Sequence, residues 1–597
     1  YVEDLIEVAE KEPNDEQDNA QPITRSIAVV GTMNTEGDVD VYRFDAQAGQ
    51  TWAFDIVGKA LGSSLSDVME IRDAEGNLLA TNSDFDRNGD AFVAIDAPRD
   101  GTYFVSITDS LMRRGMFYRM RVEERTAVTR AFPIGVQKGE KATVEIAGVG
   151  LGDLKSIEVT GHGTPGWGHT DALPVPGKNG GVVTNYRIAV GDHPVIIESE
   201  PNDDGTNAQP VEAPLGINGR IYTESDAADV DTFKFVAKKG SPLIIDVTAQ
   251  RVGSRLDSYI EVLHADATPV ERAVLRPVAE TWFVLADRNS RQAGFRLNHW
   301  DDFRVDDYLM AGTEVVRISQ LPDYADEDVI LHARSGQRIG YLDTTPEYHA
   351  VDSKVYKVEI HPPGSTFAPN GMPLIRVNTQ NDDGGAPTYN KDSQLTFDPP
   401  EDGEYLVRIR STTGDEHPDY AYFLQVRPAR PDFTMFIGPA DVNICRGSRA
   451  LLTASTTRRD GFNEPIHIKL NNLPEGFTAT ETTILPGEES AAIVLTALDD
   501  AQSTPDDKQW QIKAPGTAVI NGEDVTREGS LRRITVAERT PDVELTLEPS
   551  VVQLAPGGRV DLTVHVTRNN GFAGRVEINV QNLQHGVVVA HTGLTGV

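Results

Sequence analysis

The chain has 597 residues, enough for several domains, and its formal net charge of −36 repels the phosphates of a nucleic-acid partner while favouring solubility in a large extracellular protein. Its single cysteine, Cys445, excludes an intrachain disulfide and reads as a small buried hydrophobe. No run approaches the roughly 18 apolar residues of a membrane span, so no transmembrane segment is expected, and no basic-headed apolar signal segment is present.

Short apolar runs punctuated by 52 Gly and 35 Pro, with no long helical-period segment, make the expected class all-β: a multidomain array of β-sandwiches. After a leading segment, residues 1–9, a first sandwich is expected over 10–123. A smaller immunoglobulin-like domain, 124–195, opens at Phe132-Pro133-Ile134-Gly135, with Val144 and Ile146 alternating after it. A second sandwich is split into 196–280 and 373–428 by an inserted β-rich domain, 281–372. Loop tips tolerate such insertions because closure entropy grows only logarithmically with loop length. The strand of Tyr259 and Val262 is therefore expected in one sandwich with the strands around Leu374, Leu395 and Tyr405, with the insert projecting as the most exposed feature. Two immunoglobulin-like repeats follow, 429–538 and a truncated 539–597. Arg458-Arg459-Asp460-Gly461-Phe462 in the first is echoed by Arg568-Asn569-Asn570-Gly571-Phe572 in the second. In the last repeat Val560, Leu562, Val564 and Val566 alternate with polar residues, the mark of a half-buried strand. The chain begins at Tyr1 rather than Met and stops at Val597 inside an unfinished β-domain, so the natural protein is expected to continue.

One acidic phrase occurs twice, Glu10-Lys11-Glu12-Pro13-Asn14-Asp15 and Glu198-Ser199-Glu200-Pro201-Asn202-Asp203. Each copy is followed by a second shared phrase, Asp38-Val39-Asp40-Val41-Tyr42-Arg43-Phe44 against Asp229-Val230-Asp231-Thr232-Phe233-Lys234-Phe235. This is a duplication on the scale of a domain. Carboxylates gathered with amide oxygens suit a hard cation such as calcium, which takes six to eight oxygens. Pro-Asn-Asp alone could be a turn, but a turn leaves the distant Asp pair that repeats with it unexplained.

With Gly62-Ser63-Ser64-Leu65, Gly253-Ser254-Arg255-Leu256 and the Asp-Gly-x-Tyr phrases at Asp100 to Tyr103 and Asp402 to Tyr405, each copy resembles the bacterial pre-peptidase C-terminal domain. That family is a small β-sandwich appended to secreted enzymes and surface proteins, and it includes the collagen-binding domain of bacterial collagenases. The resemblance implies calcium ligands Glu10, Glu12, Asn14, Asp15, Asp38 and Asp40 in the first copy. In the second it implies Glu198, Glu200, Asn202, Asp203, Asp229 and Asp231.

Other motifs carry less. Asp84-Phe85-Asp86-Arg87-Asn88-Gly89-Asp90 opens like a calcium loop, giving Asp84, Asp86, Asn88 and Asp90 as candidate ligands, but its twelfth position is Ile95 in place of a bidentate Glu. Gly161-His162-Gly163-Thr164-Pro165-Gly166 fits a dinucleotide pattern, yet Pro165 leaves no helix to hold a phosphate. The insert's mixture of His299, Asp301, Asp302, Asp306, Asp307, His349 and His361 could bind a transition metal but reads first as a solvated face. No Gly-x-Ser-x-Gly elbow, His-Glu-x-x-His helix or P-loop occurs.

The expectation is a non-catalytic, calcium-binding protein, exported to the cell surface or beyond, serving adhesion, scaffolding or assembly through a surface or matrix polysaccharide or protein. The rival is the substrate-targeting region of a larger exported hydrolase whose catalytic domain lies outside these residues. A third reading makes the insert a carbohydrate-binding or catalytic unit.

Overall fold

The structure is a computed structural model that describes residues 5–576, apart from 83–89, 164–169, 177–181, 184–185, 224–228, 323–325, 335, 385–390, 504–511 and 539–540, together with 578, 580, 583, 587 and 589. Among these residues the only helices are three single 3₁₀ turns, and strands make the rest of the regular structure.

The first sandwich has two five-stranded sheets. One runs Ile6–Ala9, Ile27–Thr32, Phe117–Glu123, Thr51–Ile56, Phe92–Asp96, and the other Gln21–Pro22, Val39–Ala46, Gly101–Asp109, Asp67–Asp73, Leu78–Asn82. Period-2 patterning decides which side chains face inward. Along Gly101–Asp109, Tyr103, Val105 and Ile107 are buried while their neighbours are half-buried. Phe44, Trp52, Phe54 and Tyr103 form the aromatic centre, with Phe44 4.5 Å from Trp52 and 5.0 Å from Phe54 between ring centroids. Residues 6–9, expected as part of a leading segment, are the parallel edge strand beside Ile27–Thr32.

The second sandwich repeats this order strand for strand. Its sheets are Val195–Ile197, Leu215–Arg220, Ala421–Pro428, Leu243–Thr248, Gln394–Phe397 and Gln209–Pro210, Asp231–Ala237, Gly403–Ser411, Ser258–His264, Gln380–Asn381. The boundary set at 195/196 therefore falls inside the strand Val195–Ile197. The repeated phrases that are not acidic are structural. Tyr103 Oη donates to Arg99 O at 2.7 Å and Tyr405 Oη to Glu401 O at 2.9 Å, while Asp100 and Asp402 accept the amides of Ala48 and Lys239 at 2.7 and 2.8 Å. Gly62 and Gly253 end their 3₁₀ turns at φ of 88° and 106°, a conformation that favours glycine.

The insertion is larger than expected at both ends. Glu271–Trp282 pairs with Lys354–His361 on one side and Ile375–Asn378 on the other, inside a seven-stranded sheet. The boundary at 280/281 cuts this strand, and the segment around Leu374 belongs to the insert, whereas Leu395 and Tyr405 do lie in the sandwich with Tyr259. The cause is local: Thr379 N donates to Val270 O at 2.8 Å and Val262 N to Thr379 O at 2.9 Å, so the chain leaves and returns at neighbouring points. Nor does the insert project freely. A Cβ on Gly487 of the next domain would lie 3.0 Å from Arg317 Nη1. Within it, fully buried Arg338 pairs with buried Glu314, donates to the carbonyls of Asn289 and Gln292 at 2.6 and 3.0 Å, and Glu314 also meets His349. His349 is thus a core partner, stacked on Phe283 at 5.0 Å.

The domain between the sandwiches has two three-stranded sheets, and its core continues into the second sandwich through Val252, Ala421 and Phe423. Asn218 accepts the amides of Ile134 and Gly135 at 3.0 and 2.6 Å and donates to Gly135 O at 2.9 Å. After the second sandwich, Arg427 binds Asp460 at 2.5 Å, joining it to the domain whose sheets hold Asp432–Gly438 and Arg449–Arg459. Cys445 there is half-buried. Of the last repeat, the paired strands are Val543–Glu548 and Thr563–Arg568; Val560 and Leu562, expected in the second of these, are exposed and precede it.

Removing residues 271–378 and joining Val270 to Thr379 through a short glycine linker should leave a cooperatively folding second sandwich. Removing 281–372 instead leaves Glu271–Glu280 without its partner Lys354–His361 and should give aggregation. Thermal melts and gel filtration of the two deletions check this; the opposite ranking would place the insert in the sandwich core.

Candidate metal centre

Each sandwich gathers its repeated acids where the chain enters it. In the first, Glu10 follows the edge strand Ile6–Ala9, and Asp40 lies in Val39–Ala46 of the facing sheet. Glu10, Glu12 and Asp40 bring carboxylate oxygens within 4.8 Å of one another, and Glu198, Glu200 and Asp231 do the same in the second sandwich. Glu10 accepts the amide of Thr32 at 2.9 Å, and Glu198 that of Arg220 at 2.7 Å.

A tyrosine crosses the middle of each cluster. Tyr118 Oη lies 2.6 Å from Asp40 Oδ2 and 3.0 Å from Glu10 Oε1; Tyr422 Oη lies 2.6 Å from Asp231 Oδ2 and 2.8 Å from Glu198 Oε2. Opposite each stands a glycine in register, Gly31 for Tyr118 and Gly219 for Tyr422. A Cβ on Gly219 would sit 2.1 Å from Glu198 Oε2 and 2.2 Å from the Tyr422 ring, so only glycine fits. These tyrosines and glycines were not singled out in sequence, where a strand tyrosine reads as core. The signal available was the matched placement of the tyrosines in the closing strand of each copy and of the glycines in the strand that pairs with it.

The remaining candidates divide. Asn14 is fully buried, with Oδ1 unpartnered, and its backbone N–H donates to Glu12 Oε2 at 3.1 Å. Asn202 is equally buried, but its Oδ1 accepts Thr232 N at 3.1 Å. Asp203 and Asp229 join Glu200 in a second group within 4.8 Å, and both oxygens of Asp229 are buried without a partner. Their counterparts diverge: Asp15 is exposed, and Asp38 accepts the amide of Asn34. In the Asp84–Asp90 loop, Asp84, Asp86 and Asn88 lie outside the described residues. Asp90 is occupied by backbone, accepting Gly58 N at 2.9 Å and Lys59 N at 3.1 Å, as Asp392 accepts Ala249 N and Gln250 N at 3.0 and 2.6 Å. That repeated cap on a 3₁₀ turn gives Asp90 a structural role in place of the ligand role expected for it. Among the described residues, the His and acid mixture of the insert forms no comparable cluster.

Electrostatics shows what the pairs lack. Burial, then the hydrogen bond with Glu10, pushes Asp40 up to about 9. Burial pushes Glu198 up to about 7 and raises Asp231 well above the carboxylate range, with the charge of Glu198 next. Burial, then the charge of Glu200, brings Asp229 to about 6. Two carboxyls so placed ionise together only if a cation supplies the opposite charge. One oxygen each of Asp40 and Asp231 is buried with no hydrogen-bond partner, an arrangement that is costly unless something else binds it. An all-oxygen donor set with orphaned carboxylate oxygens fits calcium, which would supply charge neutralisation and hold the linker against the sandwich.

Residues 38–109 match the family model described as the bacterial pre-peptidase C-terminal domain. A probable subtilase-type serine protease of Deinococcus radiodurans is 35% identical over 109 residues, 18% of this chain and 15% of that protein, so the chain spans only a small part of that relative's length. Among solved structures, the pre-peptidase C-terminal domain of a Bacillus anthracis collagenase is 14% identical, aligned over 19% of this chain and 100% of its own, with a TM-score of 0.16. A DUF4785 family protein of Legionella pneumophila is 11% identical over 54% of this chain and 68% of its own, with a TM-score of 0.14.

Without calcium, carboxyls whose pKa is raised on folding stabilise the protein fully only below their unfolded value of about 4. That contribution drains away as pH rises through about 7 for Glu198 and about 9 for Asp40. Urea midpoints measured in EDTA should therefore fall from pH 5 to pH 9. A midpoint that rises over that range contradicts the buried pairs.

Proposed function

We propose, from a first sandwich that is a bacterial pre-peptidase C-terminal domain over residues 38–109, that this chain is a non-catalytic, calcium-stiffened array of β-domains in an exported protein. One observation carries the reading: the same Glu–Asp–Tyr–Gly arrangement, with an orphaned buried oxygen on the Asp, stands at the head of both sandwiches. Calcium there would tie each incoming linker to a folded domain and so fix the angle between neighbours, which suits a structure that presents a surface to a matrix or cell-surface polysaccharide or protein. Extracellular concentrations of the ion, and extracellular modules that bind it at about 10⁻⁴ to 10⁻³ M, fit such a role. No described helix is long and apolar enough to cross a membrane.

A second reading is favoured by the match to the probable serine protease. The array would then be the substrate-targeting part of a larger hydrolase, its domains holding the substrate while chemistry happens elsewhere. In both readings the work of these residues is binding and spacing, since no activated nucleophile, metalloprotease helix or cofactor-binding unit is written in the sequence.

Free calcium at ten times its dissociation constant should stabilise each sandwich by about 1.4 kcal/mol, seen as a melting temperature several degrees higher than in EDTA. Calorimetric scans that superimpose in excess calcium and in EDTA would sink the proposal.

A further inference from the structure

Where the first sandwich, the intermediate domain and the second sandwich meet, a cleft of about 770 Å³ opens, bordered by Asp96, by Arg130, Phe132, Glu145 and Lys155, and by Arg220 and Tyr222. That volume suits a small-molecule site and exceeds what a lone ion needs. Positive groups converge here although the chain as a whole carries −36. Arg130 and Phe132 share one face of the strand Ala127–Phe132, two residues apart. Arg220 ends the strand Leu215–Arg220 of the neighbouring domain and lays its guanidinium over the Phe132 ring at 3.9 Å.

The Arg220 side chain is half-buried, and the charges of Glu145 and Glu198 act on it favourably from a distance. Its Nε is buried with no acceptor, and among the described residues no carboxylate pairs with it. A buried donor atom left without an acceptor carries a cost that a ligand oxygen would remove. Among the described residues Arg130 reaches only Asp419, at 3.6 Å, and Lys155 is exposed. Burial, with the charge of Arg130 behind it, holds Arg220 below its ordinary value, which a bound anion would relieve.

We propose that this cleft binds a single carboxylate carried on a sugar ring, a uronic acid residue at the end of a glycan, with Arg220 and Arg130 gripping the carboxylate and Tyr222 facing the ring. A guanidinium already stacked on an aromatic face keeps its donor edges free, and their fork matches the two oxygens of a carboxylate. Asp96 and Glu145 also line the cleft, and their charge disfavours a phosphate dianion more than a single carboxylate. Tyr222, 37% exposed, offers the aromatic surface that a sugar's C–H face packs against. The site deepens the polysaccharide side of the function proposed above and rests on that side, since none of the candidate calcium ligands lines the cleft. Arg220 nonetheless touches the second metal centre through its backbone amide, which Glu198 accepts, so calcium that orders Glu198 should also order Arg220.

Titration calorimetry of the full chain with methyl glucuronide, methyl glucoside, acetate and glucose 6-phosphate tests this. Methyl glucuronide should bind at least tenfold more tightly than each of the other three. Arg220→Ala should weaken it tenfold or more, and Arg220→Lys, which keeps the charge without the fork, should not restore it. Should Arg220→Ala melt at a lower temperature, Arg130→Ala serves as the second variant, with a severalfold loss expected. Equal binding of the glucoside or of acetate, tighter binding of an N-acetylated tripeptide acid, or variants that bind as the native chain does would each overturn the site. Calcium that raises the melting temperature while the glucuronide fails to bind would overturn this site and leave the calcium reading standing.

Discussion

A buried aspartate and a half-buried glutamate forced together under a tyrosine hydroxyl are the constraint on which the rest of the architecture hangs. Glu10 belongs to the incoming chain, Asp40 to one sheet and Tyr118 to the other, so a single cluster joins linker, front and back of the first sandwich. Glu198, Asp231 and Tyr422 repeat it in the second. Burying like charges is unfavourable without a proton or a cation between them. Placing that requirement at the head of each sandwich makes the attachment of the preceding segment depend on what fills it.

The consequence is largest in the second copy, whose incoming chain leads out of a domain that is not independent. Phe423 stands in the second sandwich yet packs in the core of the intermediate domain, with Gly135, Gly191 and Gly216 crowded around its ring. A Cβ on Gly135 would lie 2.0 Å from that ring, so glycine alone permits the approach. Asn218 adds three hydrogen bonds across the same boundary. Linker attachment at Glu198 and this shared core act on one joint, and Arg220 lies beside both. A rod of separate beads describes the chain poorly; its domains are keyed into one another, and the insert meets the domain after it at Gly487.

The acids of the clusters were legible because they are carried in a repeated phrase at fixed spacing, and the all-β class because period-2 runs dominate. Tyr118 and Tyr422 were not, since in one strand a tyrosine that bridges acids looks like any core aromatic; only the register opposite Gly31 and Gly219 separates the two roles. Asp90 misled for the converse reason. Its surroundings spell the start of a calcium loop, but its carboxylate faces two backbone amides of a 3₁₀ turn, a partnership between residues 32 and 31 positions apart that no local pattern carries. The edge of the insert was misplaced because Glu271–Trp282, with its unbroken buried run Ala273-Val274-Leu275, carries no local mark of which sheet it joins, and its true partners, Lys354–His361 and Ile375–Asn378, are set by pairing across distant sequence.

The most direct test is to locate the ions. Crystals grown in calcium and measured for anomalous scattering should show density between Glu10, Glu12 and Asp40 and between Glu198, Glu200 and Asp231, and the second peak should vanish in Asp231→Asn while the first remains. Well-ordered crystals with no anomalous density at either cluster, or density unaffected by that substitution, would contradict the account.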